Sequence, residues 1–253
     1  MSTTIEGIKN MLKTVKMHHC AETLDKILSN SIEKSYSYEQ FLENMLSQEI
    51  EVKEQKRLET RMKQAMFSEY STLDEFNLNE QQSLSTRQLN QLKELTWLEQ
   101  GYNIVLLGPP GVGKTHIAVG LGIHAINNGY KAIFTQMNDL IQWLKTREIV
   151  RTAETKIKRI IKSDLLIIDD LMFMAIEKNV ANLFFQLINK LYGQTSVIIT
   201  SNKGPEEWGE LLGDPAITTA ILDRIVHKCE VINLDGDSYR LKHRESIFGK
   251  SQV

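Results

Sequence analysis

The nine residues GPPGVGKTH at 108–116 constrain this chain more than any other stretch. Gly108, Gly113, Lys114 and Thr115 fit the spacing G-x-x-x-x-G-K-[ST]. That pattern arises by accident in roughly one chain in a hundred of this length at ordinary residue frequencies. The flanks decide between accident and function: the apolar run NIVLL precedes it and the helix-like run IAVGLGIHAI follows it. A strand before and a helix after are what a phosphate cradle requires, because the glycines let backbone N–H groups close around phosphate oxygens at a helix N-terminus. Gly108, Pro109, Pro110, Gly111, Val112, Gly113, Lys114, Thr115 and His116 are therefore candidate nucleotide-binding residues. Lys114 is placed to neutralise the outer phosphates, and the Thr115 hydroxyl to meet Mg²⁺.

From residue 103 onward the pattern is strand then helix, several times. NIVLL, KAIFTQM, DLLIID, SVIITSN and CEVINL are five short runs rich in Val and Ile, and helical stretches lie between most of them. Such alternation predicts a parallel sheet covered on both faces. DLLIIDD at 164–170 buries four apolar residues and then presents Asp169 and Asp170 at the end of its strand. About fifty residues after a phosphate loop, that pair predicts Asp169 as the Mg²⁺ partner and Asp170 as the general base that orients the attacking water. SVIITSN ends in Thr200, Ser201 and Asn202 at the edge where open parallel sheets collect ligands. Asn202 either holds that water against the γ-phosphate or forms a turn before KGP. Arg224, in a helical stretch before the last strand, suits either a finger offered to a neighbouring subunit's ATP or a surface salt bridge.

The first part of the chain has another character. Ile5, Ile8, Leu12 and Val15, then Leu24, Ile27 and Leu28, recur at helical spacing, and SYEQ at 37–40 has the capping-box form ahead of a long charged helix over about 38–66. Residues 1–67 thus read as a small all-α domain, and 68–100 as a linker and a helix that leads into the domain at 101–253. With 253 residues, 42% of them hydrophobic, the chain suffices for one ordinary core and a small appendage.

Thirty Lys and Arg nearly cancel 32 Asp and Glu, so any nucleic-acid signal must be local. Residues 138–162 carry Lys145, Arg147, Arg151, Lys156, Lys158, Arg159 and Lys162 against three acids, Asp139, Glu148 and Glu154. This is either a solvated helix face or a surface that binds duplex phosphates without reading sequence. Lys53, Lys56, Arg57 and Arg61 form a second basic group, diluted by nearby glutamates. Cys20 and Cys229 are the only cysteines and give no disulfide framework, and adjacent His18, His19 and Cys20 read as surface or loop residues. Trp97, Trp143 and Trp208 read as core residues. No stretch approaches bilayer length and the N-terminus lacks a signal pattern, so a soluble, unprocessed cytoplasmic protein with no membrane partner is expected.

Together GPPGVGKTH, DLLIIDD, IITSN, WGELLGDP, AILDRIVHKCEVINLDGDSYRLK and SYEQFLENMLSQEIEVKEQKRLETRMKQAMF resemble the IstB-type ATPases, helper proteins of bacterial insertion sequences. The likeness covers nearly the whole chain, and its core is similar to the helicase loader DnaC, both in the initiator branch of AAA+ ATPases. It implies an α/β fold: a five-stranded parallel P-loop AAA+ core without a C-terminal lid, behind the helical N-terminal domain. It also implies an ATP- and Mg²⁺-dependent homo-oligomer that binds and remodels duplex DNA and recruits or stimulates a partner transposase. By residue it implies phosphate binding on 108–115, Mg²⁺ on Thr115 and Asp169, nucleotide sensing by Asn202, a trans-acting finger in Arg224, a second sensor in Arg240, and an inserted helix lining a DNA channel at 138–162. Glu usually follows the metal aspartate; Asp170 is one methylene shorter, which implies slow hydrolysis. A helicase loader remains the alternative, disfavoured by the N-terminal domain. A small-molecule kinase is disfavoured by Arg224 and Arg240.

Overall fold

The computed structural model describes residues 4–171, 177–210 and 215–244, apart from the side chains of 209 and 210. Part of WGELLGDP, at 211–214, lies outside them. The chain divides into two compact units, the first ending at Thr60 and the second starting at Arg61.

The first unit is helical. α1 (Ile5–Thr14) starts at Thr4, whose hydroxyl accepts the Gly7 N–H. α2 (His18–Glu33) follows, then α3 (Tyr38–Ala65). Ser37 and Gln40 make the reciprocal hydrogen bonds of a capping box at the start of α3. Leu12, Cys20, Ala21, Leu24 and Ile27 form the core, with Phe41 and Met45 packed on it. Here the reading of Cys20 as a surface or loop residue is corrected: it is fully buried near the start of α2. Its N–H donates to Glu49 at 2.8 Å and its thiol to the Met45 carbonyl at 3.1 Å. A thiol packs as a small hydrophobe, and the helix spacing that buries Leu24 and Ile27 carries Cys20 inward with them. Burial pushes that thiol up to about 11, so it is not a reactive thiolate.

The second unit is a parallel sheet between helical layers. β1 (Asn103–Leu107), β2 (Ala132–Gln136), β3 (Leu165–Asp169), β4 (Ser196–Ser201) and β5 (Cys229–Asn233) stand in the order β2-β3-β4-β1-β5. All four pairings are parallel. The chain leaves β1 through α6 (Lys114–Asn127) to the far edge and works back, so β3 and β4 come to lie between β2 and β1, with β4 next to β1. That order sets the C-terminal ends of β1, β4 and β3 side by side. Ligands collect at such an edge.

Alternation along the strands divides their side chains between the layers. Val105, Leu166, Ile168, Val197 and Ile199 face α7 (Met137–Thr146), α8 (Arg151–Ile161), α9 (Lys178–Leu191) and α10 (Pro215–Val226), which contribute Leu140, Ile160, Phe184 and Ile221. α6 lies against the other face and is apolar all round, as a helix covered on both sides must be. Its second cover is the stretch before the sheet: a Cβ on Gly120 would meet Leu73 at 2.6 Å, and one on Gly122 would meet Phe67 at 2.8 Å. α4 (Thr86–Lys93), capped by Ser85 and Gln88, and α5 (Thr96–Glu99) lead into β1. Trp97 and Trp208 are buried, while Trp143 is partly buried. Among the described residues no helix is long and apolar enough to cross a membrane.

Candidate functional site

The phosphate loop joins β1 to α6 and opens into a cleft of about 630 Å³, a volume in the usual range for small-ligand sites. Because α6 begins at Lys114, the N–H groups of its first turn have no carbonyl within the helix. The loop is shaped by close approach on two sides. At Gly111, φ +86, a Cβ would meet the Ser238 hydroxyl at 2.1 Å. At Gly113, φ +98, it would meet the Phe76 ring at 2.7 Å. Glycine alone suits both the left-handed backbone and the missing space.

The sheet edge brings together the residues singled out in the sequence. Lys114 is 9% exposed, and its Nζ donates to the carbonyls of Gly108 and Pro109 at 2.7 and 2.9 Å and to Asn202 Oδ1 at 2.7 Å. Burial holds the Lys114 ammonium below its ordinary range and Arg240 adds to that; Asp169 and Asp170 oppose it. The Thr115 hydroxyl donates to Asp169 Oδ1 at 2.8 Å, and the Thr200 hydroxyl donates to the same oxygen at 2.7 Å. Asp170, at φ +56, is displaced upward by burial and then by the charge of Asp169, with Lys114 pulling back. Arg240 lines the cleft from α11 (Tyr239–Lys242).

Hard oxygen donors beside a buried lysine fit the residues Mg²⁺ needs. Thr115 and Asp169, 2.8 Å apart, would hold it. The loop glycines let the loop backbone pack directly against Leu234, Ser238 and Phe76, where a Cβ would collide.

Other candidates lie elsewhere. Arg224 is at the opposite edge of the sheet, in a separate cavity of about 280 Å³ that Asn103, Thr195 and Lys228 also line. It donates to Asn189 Oδ1 at 2.9 Å and to the Ala220 carbonyl at 2.8 Å, and its guanidinium lies 4.8 Å from the Phe185 ring centre. The basic segment forms the hairpin α7–α8. Lys145 pairs with Glu177 at 3.4 Å and Lys156 sits over the Trp143 ring at 4.0 Å, whereas Arg147 and Arg151, at the turn, have no ion pair among the described residues. Lys53 pairs with Glu49 at 3.3 Å in the first unit; Lys56 and Arg57 there are exposed, and Arg61 belongs to the second unit.

The cleft has walls that the sequence reading did not assign. Gln81, buried, donates to the Val112 carbonyl at 3.0 Å, and the His116 ring sits 2.8 Å from the Thr72 carbonyl and 5.4 Å from the Phe76 ring centre. From the other side Tyr239 N–H donates to the Gly111 carbonyl at 3.0 Å. So the stretch read as a linker, 68–100, supplies part of the wall of this cleft. A signal was present: Leu73, Phe76, Leu78 and Leu84 stand in the mostly polar stretch 68–85, and isolated apolar residues there need a surface to cover.

A five-stranded parallel sheet in this order, with the phosphate loop after β1, acids ending β3 and a polar residue after β4, defines an AAA+ P-loop core. The chain belongs to the family of IstB-like ATP binding proteins, which it matches over residues 10–247. It is 40% identical over 239 residues to an IS21-like insertion sequence ATP-binding protein of Bacteroides fragilis, covering 94% of this chain and 91% of that one. It is 36% identical over 234 residues to the IS21 counterpart of Pseudomonas aeruginosa, covering 92% and 88%. The fold is similar to that of AMPPCP-bound DnaA from Aquifex aeolicus, with a TM-score of 0.56 and 23% identity over 70% of this chain and 54% of that one.

Proposed function

We propose that this chain is an ATP-hydrolysing, self-assembling protein that binds and remodels duplex DNA for a partner transposase. The observation that carries the reading is the meeting of Lys114, Thr115, Asp169, Asp170 and Asn202 at one sheet edge, in a chain whose relatives are named for insertion sequences. Lys114 and the loop N–H groups bind the phosphates. Mg²⁺ on Thr115 and Asp169 would supply positive charge against the phosphate oxygens. Asp170 takes the proton of the water that attacks the γ-phosphorus, and the bond to the ADP oxygen breaks. Asn202 holds that water, and Arg240 senses the nucleotide from α11.

Arg224 stands across the sheet from its own chain's cleft, which supports a role at a neighbour's site. Arg224→Ala protein is then expected to bind ATP normally and to hydrolyse it about 100-fold more slowly or worse. Mixing it with Asp170→Asn protein should restore activity, since some interfaces pair an intact Asp170 with an intact Arg224. A titration of mixing ratios with no recovery would show that the arginine does not act in trans.

DNA binding is assigned to the hairpin α7–α8. Arg147 and Arg151 make its phosphate contacts, because Lys145 and Lys156 are engaged with Glu177 and Trp143. Each phosphate neutralised releases counterion, so replacing both arginines by Ala should flatten the slope of log affinity against log salt by about 1.8. Lys156→Ala should leave the slope as it is. Salt titrations on two unrelated duplexes, with ATP, measure both. An unchanged slope in the double variant moves the DNA site to Lys53, Lys56 and Arg57. Failure of the native protein to bind duplex at low salt returns the helicase-loader reading to first place.

A further inference from the structure

Thr200 is buried, 1% exposed, and touches both acids from the neighbouring strand. Its hydroxyl donates to Asp169 Oδ1 at 2.7 Å and accepts the Asp170 N–H at 2.8 Å, while its carbonyl accepts the Leu171 N–H at 2.9 Å. Three consecutive residues are thus tied to one threonine, at the point where Asp170 turns to φ +56. A residue with a side chain occupies that region sparsely, and persists there where its surroundings hold it. A hydroxyl has one hydrogen and two lone pairs. With the hydrogen on Asp169, a lone pair meets the Asp170 N–H, so a single rotamer serves both acids.

We propose that Thr200 is a positioning residue for the reaction: it sets the orientation of Asp169 toward Mg²⁺ and the backbone from which Asp170 meets water. The hydroxyls of Thr115 and Thr200 both occupy Oδ1 of Asp169, and Oδ2 has no hydrogen-bond partner among the described residues. That leaves Oδ2 as the oxygen open to a cation. Two residues further along the chain Asn202 holds Lys114, so one strand end orders the lysine and both acids. The inference rests on the reading of Asp169 and Asp170 as metal and base residues.

A buried threonine that only satisfies its own hydrogen bonds predicts a different outcome from one that positions acids. The test uses the full chain with Thr200→Val, which removes the hydroxyl at nearly constant volume, and Thr200→Ser, which keeps it. Mn²⁺ binding with a non-hydrolysable ATP analogue is followed by electron paramagnetic resonance, beside kcat and the metal-free nucleotide Kd. Loss of a hydrogen bond to a charged group predicts that Thr200→Val lowers kcat about 10–100-fold and Mn²⁺ affinity about tenfold. Metal-free nucleotide binding should stay within about threefold of the native protein. Thr200→Ser should restore both properties to within about threefold. Thr200→Cys, with only a weak donor, replaces Val where Val does not fold and should show the same losses. Native kcat and Mn²⁺ affinity in the Val or Cys variant would overturn the assignment, as would a Ser variant no better than either. A native protein without nucleotide-dependent Mn²⁺ binding would instead overturn the reading of the site itself.

Discussion

Lys114→Ala protein is expected to lose ATP binding by about 100–1,000-fold while keeping its fold. The ammonium sits at the sheet edge within 2.7–2.9 Å of three oxygens, two from the loop and one from Asn202, at the distance a phosphate oxygen would take. Two charge-assisted hydrogen bonds to phosphate contribute about 3–4 kcal/mol, which converts to that change in Kd. The side chain lines an open cleft rather than the apolar core, so its removal leaves the Gly108 and Pro109 carbonyls to water. Calorimetric titration with ATP gives the affinity, and circular dichroism checks the fold. A Kd within about threefold of the native value would remove Lys114 from the phosphate site.

Asp170→Asn protein is expected to bind ATP as the native protein does and to hydrolyse it about 100-fold more slowly or worse, the usual contribution of a general base. The substitution is well controlled. Asp170 lies at φ +56, where Asp and Asn are both tolerated better than other residues with a side chain, so backbone strain changes little. The same backbone bears on the departure from the usual Glu: a short acid suits the left-handed turn after β3, at the expense of reach. Phosphate release under single-turnover conditions separates chemistry from binding. Equal turnover by variant and native protein would take Asp170 out of the reaction.

Much of the core was legible because its signals are local. The five runs from NIVLL to CEVINL became β1 to β5, since Val- and Ile-rich segments bounded by polar turns have one comfortable conformation between two helical layers. SYEQ capped α3 through hydrogen bonds spanning three residues. The phosphate loop was legible because its glycines, lysine and threonine all fall within residues 108–115, where the spacing is set by the local backbone. Cys20 was misread because it was taken with its neighbours His18 and His19, while its helical spacing to Leu24 and Ile27 sets it on the buried face.

The amino-acid sequence determined the elements, the phosphate loop and the acids at the end of β3, because short-range periodicity and turn chemistry fix the local backbone. Tertiary structure decided which of them meet. Inserting β4 between β3 and β1 sets Thr200 against Asp169 and Asn202 against Lys114, pairs separated by 31 and 88 residues. It also decided that Phe76 and Gln81 wall the cleft and that Arg224 stands across the sheet from it. The hydrogen bonds and contacts between residues this far apart depend on the order and register of strands, and those follow from burying every apolar face at once.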